Sequence, residues 1–220
     1  MLRNIITIIA ILVLTGCQVA TITKQEAYPN MYKDKPVSIL VVPAINQTTA
    51  ADAAELYATT IAKPLAEAGY YVFSIPFVDK FLQREGVVDG EQVSNVPLDK
   101  FKDVFDADAI LFVTIKSWDT NYFVTGGNVT VAAKFELKST VTQESLWKYD
   151  DIIIHNTSGN SGNLIADLIS TAISTAIVDY VPIANTVNQR IVASMPVGKY
   201  HKRHGQDGKD KGIIRSKANN

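Results

Sequence analysis

The alternation of apolar and polar residues divides the chain into two halves of different character. "VSILVVPA" (37–44) is a nearly unbroken apolar, β-branched run, as expected of a strand covered on both faces. "TTAADAAELYATTIAKPLAEAG" follows, with Ala54, Ala58, Ile61, Leu65 and Ala68 at helical spacing and Gly69 as the stop. Pro64 lies inside that pattern and predicts a kink or the start of a last segment. "YYVFSI" (70–75) reads as the next strand, so the first third of the chain predicts a parallel, right-handed βαβ unit. Short helices are predicted over 78–84 and 98–105, the second with Asp99 placed favourably in its first turn.

From "ADAILFVTIKSW" onward the period becomes two. "GGN" (126–128) predicts a hairpin turn, and Asn128–Lys138 alternates cleanly. Val129, Val131, Ala133, Phe135 and Leu137 share one face; Thr130, Ala132, Lys134, Glu136 and Lys138 share the other, the mark of an antiparallel strand with one wetted side. "SLWKYDDIIIH" (145–155) returns beside it, and Leu164–Tyr180 then predicts a long helix, followed after Pro182 by another to about Met195. The fold class expected is α/β (α+β): a single domain with a mixed sheet and helices packed mainly on one face.

The 164–180 helix is apolar nearly all round, through Leu164, Leu168, Ile169, Ala172, Ile173, Ala176 and Ile177. A helix apolar on every side must be buried, and one sheet face covers only about half of it. The remainder meets either the second C-terminal helix or another subunit, so these residues form a candidate interface for a homo-oligomer or a partner. Asp167, Asp179 and Pro182 argue against a membrane span. Trp118 and Asp119, in "SWD" at the end of a strand, are a second interface candidate, although a tryptophan packed on the core is the commoner situation.

The N-terminus speaks to location. Arg3 precedes a short apolar stretch, Ile5–Leu14, and then Thr15-Gly16-Cys17, the layout of a secretory signal peptide. Ten helical residues rise about 15 Å, half of the roughly 30 Å of a bilayer core, so the stretch is too short to span. "LTGC" also resembles the bacterial lipobox. That resemblance implies cleavage between Gly16 and Cys17, a diacylglyceryl thioether on the Cys17 sulfur, and an N-acyl chain such as palmitate on the new amine. Several chains on one residue anchor a protein where a single chain binds only marginally. Gln18 stands where an aspartate would mark inner-membrane retention, so by resemblance the outer membrane is favoured. Cys17 is the chain's only cysteine, which leaves none for a disulfide or a thiol nucleophile.

Charge refines the boundaries. Residues 199–220 carry seven Lys/Arg against Asp207 and Asp210, a net of +5, whereas 17–198 carries a net of −7. The basic stretch is poor in strong hydrophobes and reads as disordered. The expected organisation is therefore a signal peptide (1–16), a lipidated tether (17–34), a periplasmic domain (35–197) and a disordered basic tail (198–220).

Candidate chemistry is sparse. His155, His201 and His204 form no metal-ligand spacing, and neither "GGN" nor "SGNSGN" (158–163) has the spacing of a phosphate loop. The pairs Asp106/Asp108 and Asp150/Asp151 flank strands, where a solvated edge explains them, and "HKRH" (201–204) reads as a solvated stretch rather than a metal or phosphate site. No nucleophile–base–orienter set emerges. A non-enzyme is expected, with no metal, no cofactor beyond the covalent lipid, no nucleic acid and no small-molecule substrate.

Taken in order with the lipobox, "VSILVVPA", "EAGYYVFSIPFVDKFLQREG" and "DADAILFVTIKSWD" resemble a family of Gram-negative outer-membrane lipoproteins. The family occurs beside lipoproteins similar to the curli-secretion channel subunit (CsgG-like). The resemblance spans about residues 17–197 and implies a fold close to that subunit's periplasmic domain and to the N-terminal domain of the Tol-system β-propeller protein. It brings no catalytic residues. The channel subunit builds its pore from long amphipathic hairpins; here only Asn128–Lys138 approaches the 9–11 residues a spanning strand needs, and its polar face carries Lys134, Glu136 and Lys138. The resemblance implies a non-catalytic accessory or docking component of a secretion or envelope assembly, with outer-membrane lipid and other envelope lipoproteins as partners. The alternatives are an envelope-maintenance lipoprotein bridging membrane and cell wall through its basic tail, and an enzyme or small-molecule carrier using the sheet's C-terminal edge.

Overall fold

The computed structural model describes residues 22–123, 126–156 and 180–211. In chain order these form α1 (Lys24–Ala27), α2 (Pro29–Asp34), β1 (Ser38–Val41), β2 (Ile45–Asn46), α3 (Ala53–Glu67), β3 (Tyr71–Val72), α4 (Ile75–Arg84), α5 (Gly90–Ser94), α6 (Leu98–Phe105), β4 (Ala109–Phe123), β5 (Gly126–Ser139), β6 (Ser145–Asn156) and α7 (Tyr180–Ala193). The strands make one mixed sheet in the order β3-β1-β4-β5-β6, with β2 also paired to β4. β1 runs parallel to β3 and β4, and the β4-β5-β6 ribbon is antiparallel. The expected βαβ unit is β1-α3-β3, and α3 continues through Pro64, whose ring is buried with Tyr57, Ile61 and Leu65.

The α/β class and the mixed sheet are as the pattern implied, but the helices divide between the faces. On one face α3 and α7 cover Ile39 and Val41 of β1, Leu111, Val113 and Ile115 of β4, Phe135 and Leu137 of β5 and Trp147 of β6. On the other, Val78 and Leu82 of α4, Val93 of α5 and Phe101 of α6 cover Leu40, Val42 and Ile110, with Phe112 partly packed against them. β1 is thus sandwiched, which is why it reads as a continuous apolar run, while β5 is covered once and alternates. A buried polar contact joins the two long helices: the Asn188 amide donates to the Thr60 hydroxyl at 2.8 Å.

Three expectations are corrected. "GGN" belongs to β5 rather than to a turn, since Gly126 pairs with Phe123 and Gly127 with Tyr122. The tether reading of 17–34 does not hold for 22–34, which forms α1 and α2, with Met31 in the core. Nor is 198–211 a disordered tail. The Gly198 and Tyr200 N–H groups donate to the carbonyls of Ala68 (2.8 Å) and Gly69 (3.0 Å) at the end of α3. Composition suggested disorder because it sums charges without pairing them; here the segment repays its ordering entropy through backbone hydrogen bonds and a buried Asp207. Gly198 is required at this contact, because a Cβ there would run into the Gly69 carbonyl.

Candidate functional site

Two places concentrate polar groups. The first is the junction of the two ends of the domain. Thr23 starts α1 with a capping box: its N–H donates to the Glu26 carboxylate (2.8 Å) and its hydroxyl accepts from the Glu26 N–H (3.3 Å). The Thr23 N–H, and the Thr23 hydroxyl donating to the same carboxylate at 2.9 Å, hold the Glu26 carboxyl below its ordinary value. The next residue, Lys24, reaches across to the end of α7 and donates to the carbonyls of Met195 (2.7 Å) and Ala193 (3.1 Å). A cation suits a helix C-terminus, whose last carbonyls lack partners within the helix. Its ammonium also lies 4.0 Å from the Asp207 carboxylate, with side-chain exposures of 12% and 1%. Burial lowers the Lys24 pKa by more than Asp207 and Asp210 raise it.

Asp207 in turn accepts from the Val197 N–H at 2.8 Å. Backbone bonds complete the junction: Lys24 N–H to Asp210 O (2.9 Å), Gln25 N–H to Gly208 O (3.1 Å), and an antiparallel bridge from Thr23 to Lys211. The Tyr70 hydroxyl donates to Pro196 O at 2.6 Å. The beginning of the domain is therefore fastened to its end, a few residues after the predicted acylation site.

The second place is the open face of the β4-β5-β6 ribbon. A shallow groove of about 470 Å³ runs between this face and the 94–98 loop, floored by Phe112, Thr114, Lys134, Glu136 and Lys138 and reaching Ile45. Glu136 pairs with Lys148 (3.1 Å) and Lys138 (4.0 Å), and Lys116 with Asp150 (2.7 Å). The Lys138 ammonium sits 5.7 Å from the centre of the Phe112 ring. Lys134 has no ion pair among the described residues. The groove thus offers an aromatic floor, alternating charges and, among the described residues, one cation without an ion pair, a chemistry suited to recognising a polar surface.

The amino-acid sequence matches, over residues 26–199, the family model described as "Putative lipoprotein GNA1162-like". The chain belongs to the GNA1162-like family. It is similar to a relative named "Putative lipoprotein NMB1124/NMB1162", from Neisseria meningitidis serogroup B, at 28% identity over 84% of this chain and 83% of that one. It is also similar to the crystal structure of lipoprotein GNA1162 from Neisseria meningitidis, at 29% identity and a TM-score of 0.55, covering 63% of this chain and 96% of that one. A PelC dodecamer from Paraburkholderia phytofirmans matches at 15% identity and a TM-score of 0.46, over 73% of this chain and 88% of that one. The GNA1162-like match ends at residue 199, so all of the 198–211 arm but its first two residues, Asp207 included, lies beyond it.

The residues singled out from sequence fare differently. Gly16 and Cys17 lie outside the described residues, as do Leu164, Leu168, Ile169, Ala172, Ile173, Ala176 and Ile177. Trp118 is buried in the main core and leaves the set of interface candidates, whereas Asp119 is exposed and accepts from the Ser117 hydroxyl. A bulge explains the tryptophan. The β4–β5 register slips between Ile115 and Ser117, so odd positions face the core up to Ile115 and Trp118 faces it afterwards.

The Asp106/Asp108 pair is structural. Asp108 accepts from the N–H groups of Val37 (3.0 Å) and Ser38 (3.1 Å) and from Lys102 (3.3 Å), fastening the starts of β1 and β4 together. Burial works to raise its carboxyl, but these hydrogen bonds outweigh burial and hold it below the ordinary value. Asp106 ends α6 in the left-handed region and pairs with Lys102 at 2.7 Å. "HKRH" forms a turn in which the Arg203 N–H donates to His201 Nδ1 (3.1 Å), and among the described residues no group of three or more potential ligands could hold a metal ion. Sequence reasoning missed Lys24 and Asp207, which carried no local signal.

Proposed function

We propose that this protein is an outer-membrane lipoprotein, cleaved behind Gly16 and acylated on Cys17, whose domain faces the periplasm. There it serves as a non-catalytic accessory or docking component of a secretion or envelope assembly. The observation that carries the docking role is the groove beside the 94–98 loop, where Lys134 is exposed, Thr114 is half-exposed and Phe112 is only partly packed against the α4–α6 cluster. Membership of a lipoprotein family supports the anchor. No helix among the described residues is long and apolar enough to cross a membrane, which agrees with attachment through lipid. The fastened junction would transmit the anchor's position to the domain rather than letting the domain hang from a free tether.

Two experiments test this reading. Cys17→Ser is expected to leave the domain folded but to release it from the outer-membrane fraction or leave it uncleaved; a Ser variant still processed and still retained defeats the anchor. A photo-crosslinking residue at Thr114 or Lys134 in intact cells is expected to yield a discrete protein adduct that the same residue at exposed Glu91 does not. A groove that yields none defeats the docking role. The bridging alternative relied on a long free basic tail. With 198–211 packed on the domain, that reach is shortened by about 45 Å at roughly 3.3 Å per extended residue, which weakens it. The Leu164–Ile177 stripe remains our proposed oligomer or partner interface, tested by sedimentation of the unacylated protein: a strict monomer at high concentration counts against a homo-oligomer.

A further inference from the structure

The 198–211 arm presents cations beside the point where the chain leaves for Cys17. We infer that this arm is a headgroup-binding platform that seats the domain on anionic phospholipid. The inference rests on the Cys17 anchor reading and adds to it a second, folded contact with the same membrane.

Lys199, Lys202, Lys209 and Lys211 are all exposed, and none is ion-paired among the described residues. The acidic groups of the arm are already engaged. Asp207 is buried beside Lys24, and Asp210 accepts from the Arg203 guanidinium at 2.8 Å. The local excess of positive charge is therefore uncompensated. The Arg203–Asp210 pair also draws Lys202 toward the stretch that holds Lys209 and Lys211, and Lys211 itself bridges Thr23. Tyr200, 67% exposed, lies between Lys199 and Lys202 in the chain, and Ile22, 37% exposed, precedes Thr23. An amphipathic ring among lysines is the composition found where protein meets the headgroup layer.

Reach allows the contact. Six residue steps separate Cys17 from Thr23, about 22 Å if fully extended and about 14 Å as a flexible coil. A Debye length is about 8 Å at physiological salt, shorter than either reach, so the anchor lets the arm come within range of headgroup charge and the lysines supply the attraction that keeps it there. Tethering raises the effective concentration of one surface at the other without any new contact. Each lysine near an anionic surface contributes about a fivefold gain in membrane partitioning.

The test uses the mature, acylated full chain with Tyr200→Trp as a reporter, incorporated into vesicles of phosphatidylcholine alone or with phosphatidylglycerol. Brominated lipid is expected to quench the added tryptophan only when phosphatidylglycerol is present, and high salt should abolish the effect. The variant with Lys199, Lys202, Lys209 and Lys211 all changed to Gln should lose the quenching while still sedimenting with the vesicles. Equal quenching in both lipids, or none in either while the protein remains vesicle-bound, overturns the platform. Failure of the anchor reading is seen separately, as a mature protein whose mass lacks the acyl chains. In that case the unacylated chain should still bind phosphatidylglycerol vesicles in a salt-sensitive way. If it instead binds only isolated cell wall, the platform assignment is wrong.

Discussion

The Lys24 ammonium lies 2.7 Å from the carbonyl oxygen of Met195, 171 residues away in the chain. It satisfies the end of α7 and neutralises Asp207 in the same stroke, so one side chain ties the first helix of the domain to the last helix and to the arm beyond it.

Removing that cation should be costly. Lys24→Met keeps much of the apolar stem but leaves the Ala193 and Met195 carbonyls and Asp207 without their partner, at about 1–3 kcal/mol. A double-mutant cycle with Asp207→Asn, read by thermal or denaturant unfolding, should give a strongly non-additive result. Additive losses would mean the two groups do not interact.

Ending the chain after Gly198 should lower the melting temperature, because it removes Asp207, the counter-charge of the largely covered Lys24, and the Tyr200 bond to Gly69. Losing the charge partner of a group that keeps its carbonyl acceptors, together with the arm's backbone hydrogen bonds, should cost about 1–3 kcal/mol. An unchanged melting temperature would restore the picture of an independent tail.

Thr60→Val is expected to destabilise the α3–α7 interface by about 1–3 kcal/mol, since the Asn188 amide, fully buried, loses its acceptor. Adding Asn188→Leu should recover most of the loss by removing the stranded group. If the double variant is less stable than Thr60→Val alone, the contact is not the source of the effect.

Acid stability should depend on Asp108. Its carboxyl is held below the ordinary carboxylate range in the folded protein, so the folded state binds fewer protons than the unfolded chain as the pH falls through that range. The contribution is fully present above about pH 4 to 5 and is lost progressively below it. The side chain is about a third exposed, and solvent screening keeps the contribution to about 1 kcal/mol or less. Asp108→Asn should lower stability at neutral pH and flatten the acid limb in denaturant unfolding measured against pH. An unchanged acid limb would remove Asp108 from the account.

The sequence by itself determined whatever repeats locally. The β1 run, the α3 helix and the one-sided alternation of β5 each carry their own period, because burial on two faces, one stripe or one face imposes it over adjacent residues. The signal-peptide and lipobox reading is local in the same way. Tertiary structure decided what depends on pairing between distant residues. The bulge after Ile115 belongs to the β4–β5 register rather than to either strand, and it turned Trp118 from a rim candidate into core. Lys24 and Asp207 sit in unremarkable polar stretches, and nothing near either one announces the other. The arm looked disordered because composition counts its charges as free, when Asp207 and Asp210 are already bonded to partners that only the folded chain brings near.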